Sequence, residues 1–298
     1  MQVMPQNSAG SGLILDYIAL TKPRIILLLL ITAIGGMDLA SGGLPNPVLA
    51  LLVLFGGSLA SGGAQSLNHY LDRDIDRLMN RTENRPVASG RVSPSSALIF
   101  GIILNLVAFI VLAWWVSMLS ATLTIGASIF YVLVYTMWLK RTTPQNIVIG
   151  GAAGAIPPVV GWVAVTGQFD LPALYLFAIV FFWTPPHFWA LSLLIKDDYA
   201  RAGIPMLPVV ASLRQTKISI FLYTLLLVAI TLMFFTTSAV GWIYLTGSIG
   251  LGLAFVYFAW SLLRKEEIDG AKGMYLYSLL YIAMLFVFIM ADSIATRV

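Results

Sequence analysis

Residues 68–94 read NHYLDRDIDRLMNRTENRPVASGRVSP, a dense polar cassette in a chain that is otherwise largely lipid-soluble. On either side the sequence turns apolar for about 20 residues, the length a bilayer crossing requires. The cassette is therefore a loop between membrane helices, with a helix end at its start. Asn68, Asp72 and Asp76 fall at i, i+4 and i+8, which on a helix stacks three oxygen-bearing side chains on one face. Asp74 falls on the opposite side and is expected to face solvent or a salt-bridge partner. Arg73, Arg77, Arg81, Arg85 and Arg91 surround them. Carboxylates in a row beside arginines suit a site that holds a divalent cation and a phosphorylated ligand together. Mg²⁺ is typically held by one or two carboxylates plus the ligand's own phosphate oxygens, and arginine supplies the forked donors that phosphate prefers. The plainer reading is a solvated loop whose charges only set topology. Carboxylates that begin directly after an apolar span argue for function.

The chain has 298 residues, 59% hydrophobic and 10% charged, with a mean hydropathy of +0.90. Soluble domains carry about 25% charged residues, so this is a polytopic, all-α membrane protein. No cysteine is present, which excludes disulfides, thiolate metal sites and a Cys-x-x-Cys-His heme attachment. No nucleic-acid partner is expected. The opening MQVMPQNSAGSG has no basic n-region and no small-residue cleavage site after an apolar core, so it does not read as a cleaved signal peptide. Residues 1–13 are expected to be a disordered tail and residues 14–298 a single transmembrane domain.

Nine spans follow from hydropathy: 23–41, 47–67, 95–115, 118–138, 146–166, 171–194, 217–238, 240–262 and 273–293. Short turn-like interruptions alternate with longer charged ones at 68–94, 139–145, 195–216 and 263–272. All but Arg297 of the 17 Lys and Arg lie in the N-terminal segment, in those four loops, or at the span ends that adjoin them (Arg24 and Lys217). The positive-inside rule then makes the loops and the N-terminus cytoplasmic and the C-terminus external. A faint repeat, an acidic helix end followed by a proline loop, links Asp76…Pro86-Val87 to Asp198…Pro208-Val209 at a common offset of 122 residues.

Three further constellations stand out. Lys196-Asp197-Asp198-Tyr199, with Arg201 close by, lies at the cytoplasmic end of span six. Adjacent carboxylates cannot share a helical face, so if both bind a metal the helix must end or unwind there; Ala202-Gly203-Ile204-Pro205 permits that. Alone, such a pair more often solvates a helix end. Tyr135-Thr136-Met137-Trp138-Leu139-Lys140-Arg141-Thr142 reads either as an interfacial anchor with an aromatic belt or as a diphosphate clamp from Lys140 and Arg141. In Trp183-Thr184-Pro185-Pro186-His187-Phe188-Trp189 the paired prolines are expected to kink or break span six, a break tolerated where backbone lines a cavity or is buried in protein. His187 and His69 are the two histidines; each is either a hydrogen-bonded structural residue or a ligand-binding one.

Two function classes fit. In an enzyme acting on a lipid diphosphate, the Asp clusters hold Mg²⁺, cations neutralise the departing charge, and aromatic faces among the helices stabilise an allylic cation. A transporter also uses charged groups and broken helices, but its site lies near the midplane, whereas here the charge gathers at one membrane face.

Asn68-x-x-x-Asp72-x-x-x-Asp76 resembles the first aspartate-rich motif of the UbiA-type intramembrane prenyltransferases. Asp72-Arg73-Asp74-Ile75-Asp76 with Met79, Arg81-Thr82 and Arg85-Pro86 is similar to the branch that farnesylates protoheme IX. So are Tyr135-Thr136 through Lys140-Arg141-Thr142, and His187-Phe188-Trp189 through Lys196-Asp197-Asp198-Tyr199 and Gly203-Ile204-Pro205-Met206-Leu207-Pro208. The likeness runs from about residue 15 to 293. It implies a nine-helix bundle around a central cavity, in the inner membrane of a prokaryote. The reaction it implies is transfer of farnesyl from farnesyl diphosphate to a vinyl group of heme b, with addition of water, giving heme O; the alternative is another aromatic or quinone acceptor. It implies Mg²⁺ at Asp72, Asp76, Asp197 and Asp198, with Asn68 beside them. Arg77, Arg81, Arg85, Lys140, Arg141, Tyr135, His187, His69 and Lys196 are the implied substrate contacts, with Arg85 and Lys140 foremost for the diphosphate. A heme A synthase or a terminal oxidase is the expected downstream partner. One departure matters: the usual second motif has carboxylates four apart, and position 201 here is Arg201.

Overall fold

The computed structural model describes residues 9–295. Of the expected tail, residues 1–8 lie outside the described residues, and Ala9–Thr21 forms a helix. Among the described residues there is no strand, and nine helices are long and apolar enough to cross a membrane. In order they are Pro23–Ser41, Pro47–Leu71, Pro94–Trp115, Met118–Thr142, Asn146–Thr166, Leu171–Leu194, Leu213–Thr237, Trp242–Arg264 and Ala271–Ala295, called spans one to nine below. Their ends differ from the hydropathy reading by four residues at most (71 against 67, 142 against 138, 213 against 217).

Local chemistry sets those ends. Asn46 Oδ1 accepts the N–H groups of Val48 and Leu49 at 2.9 and 3.1 Å, with Pro47 in the first helical position. Ser212 and Gln215 form a reciprocal capping box at span seven. The joint between spans three and four, nearly invisible in hydropathy, is made by Ser117. It is extended (φ −166°) and accepts the Ser120 N–H at 3.0 Å. Gly167 ends span five in the left-handed region that glycine occupies freely.

Inside lipid no hydrophobic force drives helices together, so small residues allow close packing to do so. Spans one and five meet at backbone distance: a methyl on Gly161 would lie 2.0 Å from the Ala33 carbonyl oxygen. Spans six to nine build the main apolar core around Trp183, Trp189, Phe234, Tyr244, Phe255 and Tyr281. A smaller cluster of Ile75, Met79, Ile147, Tyr199, Ile204 and Met206 packs the two charged loops against each other over the bundle end. That cluster is what brings the two acidic cassettes together.

Two features depart from the sequence reading. Of the kink or break expected at the prolines of span six, the break does not occur: the helix runs through Pro185 and Pro186, both buried. The prolines leave the Phe181 and Phe182 carbonyls without their i→i−4 donors, a loss membrane helices tolerate where neighbouring helices and local adjustments offset it. The break comes instead at Ile195 (φ −125°, ψ 30°), before a new turn, Lys196–Arg201. Span four is wound as a π-helix over Phe130–Leu139, a geometry concentrated at functional sites and one that hydropathy cannot reveal.

Candidate functional site

Span two carries Asn68 to the membrane edge and ends at Leu71. Asp72 (φ −89°, ψ 4°) loosens the helix without losing register. The Asp72 N–H donates to the Asn68 carbonyl, and the Asp76 N–H to the Asp72 carbonyl, both at 2.8 Å. Asn68, Asp72 and Asp76 are all buried, whereas Asp74 is exposed. Asp72 Oδ2 accepts from Asn68 Nδ2 at 2.7 Å and from Lys140 Nζ at 2.5 Å. Its other oxygen lies 3.8 Å from Arg141 and accepts no hydrogen bond. Arg85 Nη1 bridges both oxygens of Asp76, at 2.8 and 2.9 Å. Arg141 forks onto Asp74 with two contacts of 2.7 Å, and this hydrogen bonding holds the Asp74 carboxyl down to about 2.

One residue at the site went unnoticed in the sequence. Lys22, left-handed at φ 51° between the first helix and span one, donates to Gln65 Oε1 at 2.7 Å and Asn68 Oδ1 at 2.9 Å. Burial, with the Arg85 charge nearby, lowers its pKa well below the usual lysine range. Its only sequence signal was a Lys-Pro pair before a span, which the topology rule already accounts for.

In the second cassette Asp198 is buried, and its Oδ2 accepts the Arg81 backbone N–H at 3.3 Å, joining the two loops. Its Oδ1 pairs with Arg201, the residue standing where the usual motif has a carboxylate. The helix does end ahead of the aspartates, as a paired metal contact requires, but it restarts at Lys196 and turns only Asp198 inward. Asp197 and Lys196 are exposed. Asp197 lines a surface pocket with Asn80, Arg81, Asp198 and Arg201. Tyr199 is buried beneath it, and burial raises its pKa. Arg77 Nε donates to the Ala88 carbonyl at 3.0 Å, so this guanidinium ties the loop to itself.

Behind the charges lies an aromatic interior. Tyr131 and Tyr135, on the π-wound turns, stack at 5.4 Å; Tyr131 donates to Gln65 Oε1 at 3.3 Å, and Thr136 Oγ1 accepts from Asn68 Nδ2 at 3.2 Å. Tyr131, Tyr135 and His187 are each partly buried. His187 stacks on Trp183 at 4.3 Å, and its Nδ1 is 2.7 Å from Ser278 Oγ on span nine. His69 is 2% exposed and neither ring nitrogen has a hydrogen-bond partner.

These donors suit a hard divalent cation. Asn68, Asp72, Asp76 and Asp198 offer only oxygen ligands, which Mg²⁺ prefers. Among the described residues no three acidic or histidine side chains converge into a protein-only metal site. Mg²⁺ needs none, because phosphate oxygens complete its shell. Asp72 Oδ1, buried and without a hydrogen bond, is an atom such an ion would satisfy. The residues present therefore fit the group.

The UbiA prenyltransferase family model matches residues 29–290. A protoheme IX farnesyltransferase of Symbiobacterium thermophilum is 50% identical, with 93% of each chain covered. One of Gloeobacter violaceus is 48% identical over 98% of this chain and 95% of that one. One of Chloroflexus aurantiacus is 49% identical over 96% of this chain, which spans only 49% of that protein's length. Among solved structures, a digeranylgeranylglyceryl phosphate synthase superposes with a TM-score of 0.80 at 17% identity, covering 95% of this chain and 99% of that one. A UbiA homologue from Archaeoglobus fulgidus bound to GPP and Mg²⁺ gives 0.66 at 19% identity, covering 93% and 99%; at such identities the likeness concerns the fold. The chain belongs to the UbiA prenyltransferase family, on the branch of the protoheme IX farnesyltransferases.

Proposed function

We propose that the chain transfers farnesyl from farnesyl diphosphate to a vinyl group of heme b, with addition of water, giving heme O. The observation that carries the reading is the set of three buried carboxylates, Asp72, Asp76 and Asp198, each paired with a cation, with the stacked Tyr131 and Tyr135 on the span that also carries Lys140. A prenyl diphosphate has the matching polarity, with an anionic head and an apolar tail. Bound Mg²⁺ would screen the diphosphate and weaken its bond to the allylic carbon.

The chain's own groups do the rest. Asn68, Asp72, Asp76 and Asp198 would hold the ion, with Asp197 at the pocket mouth. Lys22, Arg81, Arg85, Lys140 and Arg141 neutralise charge as the leaving group departs, and Lys196 gathers substrate at the rim. Arg77 braces the loop. Tyr131 and Tyr135 present ring faces to the farnesyl cation. The electron-rich vinyl attacks that cation, and water quenches the new cation beside the pyrrole as a hydroxyl. No general base is needed before ionisation. His187 serves the heme side, and His69 lines the diphosphate side. The loops carrying the site face the cytoplasm of a prokaryotic cell, with the C-terminus outside, and the product passes to a heme A synthase or a terminal oxidase.

The test is detergent-purified protein given farnesyl diphosphate, Mg²⁺ and heme b, followed by mass spectrometry of the extracted heme. The expected product is heme b bearing one added farnesyl and one added hydroxyl group, the second proton of the water being released to solvent. Farnesyl on a non-heme aromatic acceptor, with heme unchanged, overturns the reading.

A further inference from the structure

We propose that Ser278 fixes the tautomer of His187 and so presents Nε2 as an axial ligand to the iron of the heme substrate. The inference deepens the reading above and rests on it.

A serine hydroxyl has one proton to give. Ser278 Oγ gives it to the Tyr275 carbonyl one turn earlier on span nine, at 2.6 Å. What the same oxygen offers His187 Nδ1 at 2.7 Å is therefore a lone pair. Nδ1 must carry the hydrogen, and in the neutral ring Nε2 is left as lone pair alone. Among the described residues Nε2 has no hydrogen-bond partner, and it is not among the enclosed polar atoms.

This tautomer decides between two ways of meeting a heme. A lone-pair nitrogen cannot donate to a propionate carboxylate. It can fill an empty axial position on iron or displace a water from it; no bond in the ring breaks and no electron is transferred. Iron-binding histidines characteristically donate their other N–H to an oxygen that orients the ring. The surroundings hold that orientation: Trp183 stacks at 4.3 Å and 20°, Tyr275 lies at 5.0 Å, and the Trp183 indole N–H donates to the Ser278 carbonyl at 2.7 Å. Phe188, the next residue, packs on the cluster beneath the acidic loops. The imidazole thus sits on the interior side of the charges. Gripping the iron leaves the vinyl edge of the macrocycle free to meet the allylic carbon. His69 is the poorer ligand, because both its nitrogens are enclosed and neither is oriented by a partner.

The full-length purified protein is titrated with ferric heme and followed by absorption and EPR. A nitrogen-ligated spectrum is expected for wild type. His187→Ala should lose it, and added imidazole should restore it. Ser278→Ala should keep the farnesyl diphosphate KM and lose heme affinity by about 10-fold or more, the usual size for a group that orients a metal ligand; Ser278→Thr, which keeps the hydroxyl, should recover most of it. An unchanged spectrum in His187→Ala, or wild-type affinity in Ser278→Ala, overturns the proposal. If Ser278→Ala does not fold, pulsed EPR of wild type selectively ¹⁵N-labelled at one imidazole nitrogen decides: Nε2 on iron supports it, and Nδ1 overturns it. Heme O made without histidine ligation overturns this inference and leaves the function standing, whereas heme neither bound nor converted overturns both.

Discussion

Lys140 Nζ lies 2.5 Å from Asp72 Oδ2, a contact made across 68 residues by the π-wound end of span four and the end of span two. The carboxylate is fully buried, and an uncompensated charge there is strongly destabilising. Asp76 with Arg85 and Asp198 with Arg201 repeat the arrangement. The buried carboxylates are therefore neutralised by internal ion pairs. Under the proposed function a metal diphosphate would exchange those pairs, with the ion taking the carboxylates and the cations turning to phosphate.

That exchange separates the three aspartates of the first cassette. Asp72→Asn and Asp76→Asn are expected to lower kcat by about 100-fold or more, and Asp74→Asn, whose carboxylate is exposed and engaged by Arg141, by far less. Initial rates against Mg²⁺ concentration check this; equal losses from all three would mean the shared-face argument fails. Asp74 titrates at about 2, below the ordinary value of about 3.9. The stability its pair contributes is thus present above about pH 4 and lost as pH falls toward 2. For so exposed a pair it amounts to about 0.2–1 kcal/mol.

Lys22 predicts a different signature. It bridges Gln65 and Asn68 from outside the acidic cassettes, so Lys22→Met should raise the farnesyl diphosphate KM by about 10-fold, an affinity loss of about 1.4 kcal/mol, and leave heme titration unchanged. Loss of heme binding in the same variant would assign Lys22 to the architecture of the bundle end.

The span count and the burial of Asn68, Asp72 and Asp76 were legible because both rest on local periods: apolar runs of bilayer length, and an i, i+4, i+8 helical face. Span six shows where local rules stop. Two prolines argue for a break, and the packing of neighbouring helices overrides them. The π-winding of span four, the inward turn of Asp198 but not Asp197, and the Lys22 bridge are tertiary. Each depends on which helix lies alongside, and the linear pattern carries no record of that. The Ser278–His187 contact spans 91 residues and was invisible for the same reason.

The proposed orientation in the membrane rests on the positive-inside charge count. The chain lacks cysteine, so single introduced cysteines are clean probes. Cysteines at Asn46 and Gln168 are expected to react with an impermeant reagent from outside the cell, and one at Glu83 only after the membrane is opened. The reverse pattern would invert the proposed topology.

Arg85 and Arg77, eight positions apart in one loop, provide the sharpest test of the diphosphate assignment. Arg85 is half-buried and grips both oxygens of Asp76, so under the proposed function it would stand beside the departing charge. Arg77 is exposed, with its Nε committed to the Ala88 carbonyl. Arg85→Ala should raise the farnesyl diphosphate KM by about 10- to 100-fold, and Arg85→Lys should recover only part of the loss, because an ammonium lacks the planar fork. Arg77→Ala should leave KM within about 3-fold of wild type, a change under about 1 kcal/mol. It should lower the melting temperature through loss of one charged hydrogen bond, worth about 1 kcal/mol at an exposed position. Melting curves and KM measured on the same preparations decide between them. A KM defect in Arg77→Ala equal to that of Arg85→Ala would move Arg77 into the diphosphate site.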